Sequence, residues 1–74
     1  MLHIERMIAT LEVEAKMIES HSERLVSRAS ELTDLELHRE LLELADEESI
    51  KAGMIRHQIR LLQDHLAEEQ SDVA

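Results

Sequence analysis

The sequence predicts an all-α protein, an antiparallel two-helix hairpin that dimerises into a four-helix bundle. Three observations carry that expectation. Apolar residues recur at heptad spacing along two long stretches, residues 4–32 and 41–66, which is the period of helices packed along a seam. Phe, Tyr, Trp and Pro are absent and Gly53 is the single glycine, so β-hairpins, phosphate loops and base-stacking platforms lack their usual residues. Finally, a hairpin made from 74 residues cannot surround a core by itself, which calls for a second copy.

The first helix is expected over residues 2–31. Ile4, Leu11, Ile18, Leu25 and Leu32 recur every seven positions, and Ile8, Ala15, Ser22 and Ala29 fill the alternate spacing. The pattern stops at "LTDLEL". There Thr33 is the expected cap of a new helix, Glu36 completes a capping box, and Leu32 and Leu37 flank it as a hydrophobic staple. Arg24 and Arg28 before this boundary and Asp34 after it carry the charges that helix dipoles favour.

With a turn over 32–34, the second helix is expected over 34–69. Leu41, Glu48, Ile55 and Leu62 form one line and Ala45, Ala52, Ile59 and Leu66 the neighbouring one. The helical-hairpin domain thus covers residues 1–70, and the tail 70–74 has no apolar face to bury and is expected to fray. At ~1.5 Å per residue each rod is about 45 to 52 Å long, and so short a connection folds the two back antiparallel. Gly53 costs roughly 1 kcal/mol inside a helix. It marks either a close approach of a neighbouring helix or a break that would make three helices, with "DEES" opening the third.

Composition bounds the function. The net charge is −9, with six acids against four bases over residues 1–33 and eleven against four over 34–74. Such a surface repels phosphate backbones and anionic membranes and suits a basic protein partner. There is no cysteine, hence no thiolate nucleophile or disulfide framework. No apolar run reaches the ~20 residues of a membrane span, and "MLHIERMIAT" lacks the continuous apolar stretch of a signal peptide. The expected location is cytoplasmic.

Polar residues interrupt the seam. If facing residues have numbers summing to about 66, Glu14, Glu48 and Lys51 fall within a few residues of one another along the bundle axis, with His21 about one turn from Glu48. A dimer would gather two such sets, four carboxylates in all, near its middle. Burial of that many unpaired acids is prohibitively costly, so they must pair, bind a cation or reach water. His38 and His57 are expected on the outer face and His65 near the end of helix two; none, nor His3 near the N-terminus, is assigned a role. Ser20, His21, Ser22 and Glu23 are consecutive and diverge around the helix, so no triad is expected. The methionines read as packing residues. A second apolar strip, Ile50, Met54 and Leu61 with Val13 and Met17 on helix one, lies off the main seam and needs covering by a wide interface, a higher assembly or another protein.

The stretches "LEVEAKMIE" and "LTDLELHRELLELADEESIKAGMIRHQIRLL" resemble the ferritin-like superfamily, in particular its rubrerythrin-type and encapsulated-ferritin-type half bundles, over residues 4–66. That resemblance implies a divalent metal, iron above all, at the dimer core, with Glu14 matching the helix-one ligand and Glu48 the glutamate of the Glu-x-x-His pair. Lys51 stands where the family has histidine, and a protonated lysine cannot ligate iron; His21 would be the substitute imidazole. Two readings follow: a non-catalytic interaction, adaptor or inhibitor module on a ferritin-like scaffold, or a ferroxidase-like metal binder.

Overall fold

Two helices and a three-residue connection make up residues 2–72, the part of the chain that the computed structural model describes. Helix α1 runs Leu2–Glu31 and helix α2 Leu35–Asp72, and they pack against each other antiparallel as a rod with Cα extents of 61 × 14 × 12 Å. No strand occurs among the described residues, and no helix is long and apolar enough to cross a membrane.

The turn differs from expectation by one residue. Asp34, not Thr33, caps α2: its Oδ1 accepts hydrogen bonds from the Glu36 and Leu37 amides at 2.9 and 3.2 Å. These are two of the donors that a helix start leaves orphaned, and a carboxylate there also meets the positive end of the helix dipole. The Thr33–Glu36 capping box is therefore displaced. At its other end α2 runs through Asp72, three residues past the expected 69; residues 73 and 74 of the expected tail lie outside the described part.

The seam is built from small side chains, and one register relates its layers. Ser22 Oγ donates to the Ala45 carbonyl at 2.9 Å, and His38 Nδ1 lies 2.6 Å from the Ala29 carbonyl. Both pairs have residue numbers summing to 67, which carries Ala15 to the level of Ala52 and Ile8 to that of Ile59. Ala15, Ala29, Ala45, Ala52 and Ile59 are the buried apolar residues. Alanine lets two helix backbones approach closely because nothing beyond Cβ intervenes. The half-buried His38 is a correction to its expected outer placement: it sits one heptad before Ala45, in the seam itself. A carbonyl only accepts, so Nδ1 carries the proton, and the ring satisfies a carbonyl at the C-terminal end of α1.

Helix α2 is continuous through Gly53, so the three-helix alternative does not occur. A Cβ built at Gly53 meets nothing within 4 Å, and its φ is not positive. Neither close approach inside the hairpin nor backbone geometry requires glycine here. Gly53→Ala is expected to raise stability by about 1 kcal/mol through helix propensity, read as a higher urea midpoint; an unchanged or lower midpoint would show that the glycine faces something outside the hairpin.

Candidate functional site

The two sides of the hairpin differ in chemistry. On one side, Glu19 and Arg56 close the groove between the helices with a forked pair, Nη2 to Oε1 at 2.8 Å and Nε to Oε2 at 3.2 Å. The Arg56 hydrogen bond holds the Glu19 carboxyl below its ordinary value of 4.5, against a smaller opposing effect of burial. The same bond raises Arg56 above its ordinary value. Both side chains remain substantially exposed, so the pair adds little net stability.

The other side is apolar and open. The lines Ile4, Ile18, Leu25 and Leu41, Ile55, Leu62 are only half-buried. Open grooves joining the two helices run along this face, one lined by Met7, Leu11, Leu61 and Leu62, another by Leu25, Arg28, Leu32 and Leu41. Between them, Met17, Ile18, His21 and Glu48 border a third. Met7, Leu37 and Leu44 flank the face and are exposed.

Glu48 sits at the middle of this apolar face. One heptad from both Leu41 and Ile55, its side chain is 21% exposed, with Lys51 Nζ at 3.6 Å and His21 Nδ1 at 3.8 Å. Lys51 arrives by helical spacing, three residues on; His21 arrives from α1 by the hairpin register. Contacts of this length between partly solvated groups are weak. The carboxylate is neither buried nor free in water, held between two cation-forming groups at the surface of a single hairpin.

Of the three residues singled out as metal ligands, the fold brings together Glu48 and His21. Glu14 is exposed and precedes His21 by two helical turns, ~10.5 Å along the axis. Among the described residues no three His, Asp or Glu side chains converge on a common point. One chain therefore offers a cation two donors beside a competing ammonium, too few for a closed site. Ser22, which flanks His21 in sequence, spends its hydroxyl on the Ala45 carbonyl, so no serine–histidine relay forms there. His57 is exposed, and His65 pairs with Glu69 at 3.1 Å.

The strip that the sequence places off the seam is indeed uncovered: Val13, Met17, Ile50, Met54 and Leu61 are all more than half exposed. The Glu19–Arg56 fork and the seam contacts of His38 and Ser22 are not anticipated by the sequence reading. The signal for His38 and Ser22 is positional, since both lie on the heptad line of the buried alanines. No family model, no curated protein and no solved structure matches the chain.

Proposed function

We propose that this chain is a non-catalytic interaction module, a helical scaffold that works as an adaptor or inhibitor by docking other helices and basic protein surfaces. The observation that carries this reading is the mismatch between seam and surface. Among the described residues four alanines and one isoleucine are buried, while eleven large apolar side chains are exposed. A chain that leaves that much apolar surface on two helices has a partner for it. Its charge supports the same reading: residues 34–48 hold seven carboxylates against one base, Arg39, and all but Glu48 are exposed, as an electrostatic face for a basic partner requires. On a ferritin-like scaffold Glu48 and Lys51 then serve to set helix pairing, a role that polar seam residues fill elsewhere.

The approach of His21 to Glu48 favours a second reading, a ferritin-like binder of iron or another divalent metal that takes Glu14 from a second copy. One experiment separates the two. The purified chain is titrated with ferrous iron in air under near-ultraviolet detection, and Glu48→Leu is melted beside the parent. The interaction reading expects no stoichiometric oxidation, together with a melting temperature raised by several degrees, because leucine replaces a poorly compensated charge at an apolar position (about 1 kcal/mol is worth roughly 4–8 °C in a domain this small). Stoichiometric oxidation that disappears in Glu48→Ala establishes the metal reading instead.

A further inference from the structure

The apolar face has features that specify what covers it. A folded monomer of 8.6 kDa is expected to expose about 4,700 Å², whereas this chain exposes 5852 Å². The excess, roughly 1,100 Å² per chain, is what one side of an obligate homodimer interface removes from water. Most of the face is also symmetric along its length, Leu41, whose mirror position is Gln58, being the exception. On α1, Leu11 and Leu25 lie equally far from Ile18, as do Ile4 and Leu32. On α2, Leu37 and Leu62 lie equally far from a point between Glu48 and Lys51, as do Leu44 and Ile55. In the hairpin register those two centres are at the same height.

We propose that the occupant is a second copy of this chain, turned end for end about a twofold axis through that height. This inference rests on reading the chain as an interaction module and names its first partner. About this axis α2 meets α2 of the second copy antiparallel, with facing residues whose numbers sum to about 99. Leu37 then packs on Leu62 and Leu44 on Ile55, which covers two of the exposed leucines. Glu48 of each copy meets Lys51 of the other. The same axis sets α1 against α1, with Ile18 on Ile18 and Glu14 opposite His21. The acids that interrupt the apolar face thereby meet basic groups, and Glu48, half-satisfied within one hairpin, gains the partner it lacks; Arg28, at the end of the face, lies level with Met7.

The alternative stacking, with both turns at the same end, sets α1 against α2. It also gives Glu14 and Glu48 basic neighbours, but it sets Leu37 at a level between Arg28 and Leu32 and Leu44 at a level between His21 and Leu25, so each leucine meets one polar and one apolar neighbour. The end-for-end stack, which sets Leu62 and Ile55 squarely against these two leucines, has the better apolar match. The charges choose the register, because a slip of one heptad sets Glu48 against Leu44 in one direction and Gln58 in the other, and in neither against a base.

Sedimentation equilibrium of the full chain tests this, with helicity of each variant checked by circular dichroism. The parent is expected at twice 8.6 kDa. Glu48→Lys alone and Lys51→Glu alone each weaken the dimer about tenfold or more, since each sets like charges against one another across the axis. An equimolar mixture of the two variants recovers the parent affinity, because each then supplies what the other needs. Both variants lose the same pairing within their own helix, so only contact between copies explains recovery on mixing. Ile18→Cys, in a chain otherwise free of cysteine, is expected to oxidise to a disulfide-linked dimer. A folded parent that stays monomeric at about 100 μM, a concentration that reveals all but very weak association, overturns the inference. So does a mixture no tighter than its components. Either outcome leaves the interaction-module reading to its own test, the iron titration.

Discussion

Ala15→Leu is expected to lower the stability of the hairpin by about 3 kcal/mol, at the upper end of the usual cost of overpacking. Ala15 is fully buried and the register sets it opposite Ala52, itself 3% exposed. Three extra carbons have no pocket to enter, so the helices must separate. The separation is felt beyond its own layer: the Ser22–Ala45 hydrogen bond one heptad away and the Glu19–Arg56 fork both depend on the present spacing. The measurement is the urea midpoint by circular dichroism, with the slope retained so that the shift reads as stability. Val13→Leu is the matched control, at a position 58% exposed, and should move the midpoint by less than about 0.5 kcal/mol. Equal midpoints for the two variants would refute a seam closed by small residues.

The second large effect belongs to Ile59→Ala, expected to cost about 2–4 kcal/mol. Ile59 is 4% exposed and is the one large side chain among the five buried apolar residues. It meets the level of Ile8 where the seam widens beyond its alanine layers. Truncation leaves a void that backbones held apart by their other contacts cannot collapse to fill. Leu61→Ala, two positions away but more than half exposed, removes an apolar group of the same size and should cost far less in the hairpin. The ratio of the two losses in parallel chemical melts measures how much of the stability resides in the seam.

The heptad lines made most of this architecture legible in the sequence. Facing residues sum to 67 where about 66 is expected, and the seven-residue spacing alone sets His21 within about one turn of Glu48. The departures have physical causes. Thr33 and Asp34 are adjacent capping residues, and the pattern Thr-x-x-Glu favours the first. The second wins because its carboxylate reaches two amides at once and carries charge into the helix dipole. Polarity argues for His38 on the outer face, whereas its spacing of one heptad from Ala45 puts it in the seam; the carbonyl of Ala29 at the end of α1 is a partner that polarity alone does not reveal. Glu14 differs again. Among the described residues of one hairpin it makes no ion pair or hydrogen bond between side chains, and both the metal reading and the dimer proposal give it a partner only from a second chain.

The brevity of the 32–34 connection also shapes how the chain acquires its structure. The link between Ala29 and His38 spans nine residues, so closing that loop sacrifices little chain entropy, and every later layer is reached by extending a zipper already begun. Loop closure alone predicts pairing that starts beside the turn, passes through Ser22 and Ala45, and reaches the buried layer of Ile8 and Ile59 last. The bulkiest layer thus latches the end farthest from the nucleus, where the two rods would otherwise be first to part.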